Sequence, residues 1–412
     1  MSNDSATSWW ERHSKRFVSS CLIAVLIFAA INLAVMSAGR IAGRCVEQDL
    51  SRQTGSEPRD KSFTGWSAKA FVELAEAPDI VVFGSSLMGN AVSAADAHKL
   101  QQDLDAAVYR RCACLEDGLA QRLGTDVRAF NWSVPGEMIS DMYMINKAFF
   151  KGRLKPKMIV MEVAPRDFND NLLPFAGSTE LFRFFGKYVE LEDLSDDAFP
   201  DLLARLEYEF DKVVPLRSYR FEGFREPEIE DKTKPVPKAG ESMIPILGGM
   251  FSVGAVHRGQ WVMPPNLPLA FSDNTREYRK RFHVAKPPLY DVEMKFFDRL
   301  LGQLEDSGIK VAVVGMPTLS LNRRLLPDTF WTEWRADVTK VCAKHQTMFV
   351  DITDSPKFDL SDYLDTVHMN ANGGAKLFDL IADAIAKRPE LSALLEEPVK
   401  KTSIAGKGTI PH

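Results

Sequence analysis

The sequence predicts an α/β protein, a three-layer α/β/α sandwich around a mostly parallel five-stranded sheet, and three observations carry that expectation. Five short apolar runs recur along the chain, at 79–84, 127–131, 158–164, 310–316 and 348–352. Helical patterns lie between most of them. The alternation breaks once, over a long stretch rich in proline and aromatic residues at 165–290.

Each apolar run has the length of a buried strand and is rich in Val, Ile, Phe or Met, as strands covered on both faces are. Helical patterns fall at 94–107, 115–123, 137–150, 292–307 and 332–344, a spacing that makes βαβ units. A last helix is expected over 374–387, where Leu377, Ile381 and Ile385 repeat every four residues on one face. The insertion 165–290 carries Leu181-Phe-Arg-Phe-Phe185, Tyr219-Arg-Phe-Glu-Gly-Phe224 and Trp261-Val-Met-Pro-Pro265. It follows the carboxyl end of a strand, where α/β proteins place binding and capping elements. Two readings stand for it: a cover over a site, or an irregular excursion packed on the sheet.

The chain has 412 residues, a net charge of −5 and no long basic run, so it lacks the electrostatic footprint for phosphate-backbone binding, and nucleic acid is excluded as a partner. Residues 17–38 carry no charge and are rich in Leu, Ile, Val, Ala and Phe. As a helix they span about 30 Å of hydrocarbon, which predicts a transmembrane segment in contact with the lipid bilayer. Arg12, Lys15 and Arg16 precede it and Arg40 and Arg44 follow, a balance that mildly favours a cytoplasmic 1–16 and an extracytoplasmic remainder. A cleaved signal peptide ending near Ala38-Gly-Arg40 is the competing reading. Against it, the apolar core exceeds the ~7–15 residues of a secretory leader. Residues 39–77 are then a juxtamembrane linker with a short helix near 67–75, residues 78–390 the main domain, and 391–412 a flexible tail. With Cys21 in the membrane segment, Cys45, Cys112, Cys114 and Cys342 remain for up to two disulfides or for free thiols. Cys112-Ala-Cys114 lacks the spacing of a zinc or redox pair, so no metal is expected there.

Chemistry-bearing residues gather at the two ends of the main domain. A serine hydroxyl is a poor nucleophile unless a base takes its proton, and the base works best when a carboxylate sets its tautomer. Gly84-Ser85-Ser86 ends the first apolar run and opens a helix whose backbone N–H groups face any oxyanion. Asp365-Thr-Val-His368-Met-Asn-Ala-Asn-Gly-Gly lies just before the last helix, with the carboxylate and the imidazole three residues apart. In a doubly wound sheet both loops end at the same edge. The glycine spacing after the first strand matches neither a phosphate-binding loop nor G-x-S-x-G. His13, His98 and His345 read as surface or capping residues, and His257 and His283 belong to the insertion.

With these motifs in hand, the chain resembles the SGNH, or GDSL-like, hydrolase family over roughly 78–170 and 308–388, which implies a flavodoxin-like fold. Phe83-Gly84-Ser85-Ser86-Leu87 is similar to the family's first block with Ser in place of the usual Asp, which implies Ser86 as nucleophile and oxyanion donor. Asn131-Trp-Ser-Val-Pro-Gly136 is similar to the second block and implies Gly136 N–H as a second donor. Asp365-Thr-Val-His368 matches the last block and implies His368 as base with Asp365 orienting it. The third block departs: Ala164-Pro-Arg166-Asp167-Phe-Asn169-Asp170 stands where Gly-x-Asn-Asp is expected, leaving Arg166 or Asn169 to complete the oxyanion hole. The first-block variant resembles membrane-anchored members serving cell-envelope acylation, such as D-alanine transfer and alginate acetylation proteins. That likeness implies a cell-envelope glycan or acyl donor as substrate, a membrane acyltransferase as partner, and no metal or dissociable cofactor. The expected function is serine-dependent acyl transfer or ester hydrolysis. Its rivals are a non-catalytic module binding polysaccharide or an assembly partner, and a secreted esterase.

Overall fold

The structure, a computed structural model, describes residues 20–30, 46–53, 55–213, 256–266 and 271–396. Strand β1 (Ile80–Phe83) is buried at every position, as its four large apolar side chains require of a strand covered on both faces. A two-residue strand β2 (Leu104–Asp105) pairs antiparallel with β5 (Val262–Met263) in a small separate ribbon. The main sheet takes β3 (Ala129–Asn131), β4 (Met158–Val163), β6 (Lys310–Gly315) and β7 (Met348–Asp351), in the order β3-β1-β4-β6-β7 with every pairing parallel. The predicted α/β class and five-stranded parallel sheet are therefore present, in a flavodoxin-like order. From β1 the chain moves out to β3 and returns to the other side of β1 for β4. The loops after β1 and β4 thus part at the carboxyl edge of the sheet, which is where such folds leave a crevice.

The helices, in chain order, are α1 (residues 20–30), α2 (Val46–Ser51), α3 (Phe63–Val72), α4 (Ser86–Leu100), α5 (Ala113–Leu123), α6 (Ile139–Phe149), α7 (Glu180–Gly186), α8 (Ser195–Ala198) and α9 (Leu202–Val213). Further along the chain come α10 (Thr275–Arg281), α11 (Pro288–Asp306), α12 (Ser320–Arg323), α13 (Asp328–Lys344), α14 (Ala371–Ala386) and α15 (Pro389–Glu396). Helices α4, α5 and α14 pack together on one side of the sheet, and α6, α11 and α13 on the other. The apolar stripe of α14 is buried as its spacing predicts, through Leu377, Ile381 and Ile385. A Cβ at Gly374 would sit 2.4 Å from the Ala91 carbonyl oxygen, so glycine lets α14 lie directly against α4.

Several boundaries differ from the sequence expectation. The first helix of the domain begins at Ser86 and ends at Leu100, where Gln101 turns left-handed, instead of running 94–107. The stretch 39–77 is not a plain linker. Val46 and Leu50 of α2 are buried, as is most of α3, whose Phe71 meets Phe130, Trp132 and Phe149 at ring-centroid distances of 4.9 to 5.2 Å. The expected flexible tail from 391 begins instead as helix α15, because Leu391 and Leu395 find apolar partners to bury against. Within the expected membrane segment only α1 is described, with Leu22, Ile23, Val25, Leu26 and Ile27 exposed. Among the described residues no helix is long and apolar enough to cross a membrane. The rest of 17–38, together with Cys45 and the 219–224 aromatic cluster, lies outside them. Cys21, Cys112, Cys114 and Cys342 are free thiols, and burial pushes those of Cys114 and Cys342 up to about 12.

Candidate active site

Strand β1 delivers Ser85 and Ser86 to the carboxyl edge, where Ser85 caps α4 and Ser86 is its first helical residue. The Ser85 hydroxyl accepts from the Leu87 N–H at 3.4 Å and donates to Glu162 Oε1 at 2.8 Å. Glu162 Oε2 accepts the Met88 N–H at 2.7 Å. The first turn of α4 is thereby clamped to β4 from beneath. Sequence reasoning missed Glu162, although a signal was present: it is the one charged residue in the strand Met-Ile-Val-Met-Glu-Val. A carboxyl in a strand covered on both faces implies waiting donors. Burial, ahead of the nearby Asp167 carboxylate, pushes its carboxyl well above the usual range.

The base loop is largely self-closed. Asp365 Oδ1 accepts the N–H groups of Val367 and His368 at 2.8 Å each, and its Oδ2 lies 2.7 Å from His368 Nδ1. The carboxylate faces the ring as an acceptor, so Nδ1 carries the proton and Nε2 is left to accept. Nε2 stands 2.9 Å from Ser86 Oγ. Asn370 caps α14 by accepting from the N–H groups of Asn372 and Gly373, which sets where the helix starts. Across the gap, Asn90 of α4 donates to the Met369 carbonyl at 3.0 Å, tying the helix that begins at Ser86 to the His368 loop. Ser86 is 7% exposed, His368 2% and Asp365 fully buried.

Gly136 sits in the turn after β3 with φ +84°, a left-handed conformation that a side chain would strain. Among the described residues neither its N–H nor that of Ser86 has an acceptor, the latter because a first helical N–H has no intrahelical partner. Asn131 closes the loop locally, its side chain accepting the Ser133 N–H at 3.0 Å.

The two residues expected to complete the hole are both engaged elsewhere. Arg166 donates to the carbonyls of Glu137 at 2.6 Å and Gly136 at 2.9 Å, and it pairs with Asp170. Asn169 donates to the Ala285 carbonyl at 2.6 Å and accepts from Asn171 at 3.0 Å. The reason is burial: both side chains are enclosed, and each must satisfy its donors within the protein. Arg166 therefore braces the Gly136 turn from behind. Asp167 caps its own short turn by accepting the Ala164 N–H at 2.7 Å. His257 and His283 are exposed, His98 meets the Pro265 carbonyl and His345 meets Asp298 and Glu305, so none of them joins the site. Among the described residues no group of three or more His, Cys, Asp or Glu side chains converges as a metal site.

No protein-family model matches this chain, and no curated protein matches it in sequence. Solved structures similar to it include an alpha/beta hydrolase from the metagenome of Lake Arreo, at 13% identity and a TM-score of 0.32, covering 79% of this chain and 99% of that one. A Bacteroides fragilis protein described as an acylhydrolase matches at 12% identity and 0.32, covering 77% and 92%. An acetylxylan esterase of Geobacillus stearothermophilus matches at 8% identity and 0.33, covering 76% and 95%.

Proposed function

We propose that this chain is a serine-dependent acyltransferase or esterase of the SGNH type, tethered to a cytoplasmic membrane with its α/β domain outside, acting on a cell-envelope glycan. The observation that carries the reading is the unbroken hydrogen-bond chain from Ser86 Oγ through His368 to Asp365. Ser86 Oγ attacks the acyl carbonyl and passes its proton to His368 Nε2, while the carbonyl electron pair moves onto the oxygen. The N–H groups of Ser86 and Gly136 receive that oxyanion. Collapse expels the alcohol, which takes the proton from His368 and leaves Ser86 acylated. His368 then removes a proton from water or a sugar hydroxyl, whose oxygen attacks the acyl-enzyme and restores Ser86. Asp365 holds the ring throughout and stabilises its charged form.

The charge-free stretch 17–38 and the exposed apolar side chains of α1 support the membrane tether. The glycan, the acyl donor and a membrane acyltransferase partner rest on the resemblance of the Gly84-Ser85-Ser86 block. One observation favours the rival module, namely that Arg166 and Asn169 are both occupied.

A fluorophosphonate probe applied to the full chain in detergent micelles separates the two. The enzyme reading expects labelling that disappears in Ser86→Ala and His368→Ala. A folded, unlabelled wild-type chain that still binds polysaccharide establishes the module instead. Intact-mass measurement of the mature N-terminus distinguishes an anchor from a leader cleaved near residue 40.

A further inference from the structure

Helix α10 comes from the insertion and is fastened at its two ends to the two loops that frame Ser86. Before it, the Ser272 N–H donates to the Leu364 carbonyl at 2.8 Å in the base loop. Its N-cap Asn274 accepts from the Thr366 N–H at 3.1 Å and from the Thr366 hydroxyl. At the other end Arg281 donates to Asp170 at 2.6 Å, and its carbonyl accepts the Asn171 N–H at 2.9 Å. The helix is therefore a strap from the His368 side of the site to the Arg166 side.

Asn274, Tyr278 and Arg281 lie four and then three positions apart, which places them on one helical face. Tyr278 and Arg281 are the buried residues of α10. With Asn274 holding one loop and Arg281 the other, Tyr278 occupies the middle of the strap. Its ring is held by Phe282 and by the Arg281 guanidinium, each 5.8 Å away. A buried tyrosine ordinarily finds a partner for its hydroxyl. This one, 4% exposed, makes no hydrogen bond among the described residues. Burial first, and the nearby Asp365 carboxylate next, push the phenol upward, so it keeps its proton and remains a donor.

We propose that the Tyr278 hydroxyl is the side-chain donor of the oxyanion hole, taking the place that neither Arg166 nor Asn169 is free to fill. It joins the N–H groups of Ser86 and Gly136 and keeps its proton throughout the acyl transfer described above. The inference rests on the serine-enzyme reading and adds a residue from the insertion to it.

Tyr278→Phe removes only the hydroxyl and keeps the ring's packing. On p-nitrophenyl acetate, with the full chain in micelles, the variant is expected to lose about 10²-fold in kcat with KM within twofold of wild type. Its labelling by fluorophosphonate is expected to slow in parallel, since the tetrahedral phosphonyl oxygen sits in the same hole. Fluorotyrosines at position 278 provide a second test that preserves the fold, with kcat expected to change with the acidity of the phenol. Wild-type kcat in Tyr278→Phe, a change confined to KM, or a flat fluorotyrosine series overturns the proposal while leaving Ser86 and His368 in place. An inactive, unlabelled but folded wild-type chain removes the enzyme reading itself, and the Tyr278 assignment with it.

Discussion

The two loops that flank Ser86 are held in opposite ways. In the base loop the carboxylate and the cap close locally, although Thr366 also meets Asn274: Asp365 binds the N–H groups two and three residues on, and Asn370 caps the helix that follows. The loop after β4 is held from afar, its Asp170 by Arg281 across 111 positions and its Asn169 by the Ala285 carbonyl across 116. A loop that satisfies its own polar groups shows as a compact motif, because the partners sit within one turn of chain. A loop that borrows partners from an insertion leaves no such spacing to read.

That comparison can be broken at either side. The largest effect is expected on the self-closed side, where Asp365→Asn presents an amide that can donate to the ring and so reverses the tautomer. Steady-state kinetics are expected to show kcat lower by about 10⁴-fold with the fold intact. If the variant turns over at the wild-type rate, the base loop is scenery.

On the borrowed side, Arg281→Met leaves buried Asp170 with the more distant Arg166 as its only cationic partner among the described residues. Breaking a buried pair costs about 3–5 kcal/mol, so chemical denaturation is expected to show a loss of that order. An unchanged midpoint would mean that the strap is not fastened as described.

Beneath both loops, Glu162→Ala strips the acceptor from the Ser85 hydroxyl and the Met88 N–H. A loss of about 1–3 kcal/mol in stability is expected, with a lower kcat because the first turn of α4 loosens around Ser86.

The effect expected to leave activity least changed is a pH slope from a group remote from the triad. Burial, opposed by the two hydrogen bonds from Ser140, raises Glu293 from 4.5 to about 8. Between those values the folded state holds a proton that the unfolded state has lost. The stabilisation is therefore complete below about pH 4.5 and fades as pH rises through about 8, at a rate of at most about 1.4 kcal/mol per pH unit. Glu293→Gln is expected to flatten that slope in pH-dependent melting, without shifting the pH profile of kcat.

Much of the architecture was legible because burial on both sheet faces demands continuous apolar strands, and 79–84, 158–164 and 310–316 read as such. The domain's margins were less so. Val46, Leu50, Leu391 and Leu395 lie in short segments with many polar residues, and only the presence of a neighbouring surface decides whether each is buried. At the site, Ser86, Asp365, His368 and Gly136 stood out in the sequence because each sits in a short motif of neighbouring residues. Glu162 and Tyr278 were not singled out, one inside a strand and the other in an insertion with no period.

The linear chain alone determined which segments become the five main strands and where a hydroxyl, an imidazole and its neighbouring carboxylate stand, since those properties arise from neighbours along the backbone. Tertiary packing alone decided that 282 positions of chain close to 2.9 Å between Ser86 and His368, and that Arg166 and Asn169 turn toward other partners. The physical reason is that a buried polar group takes whichever partner the fold brings within reach, and that choice is made across elements distant in sequence.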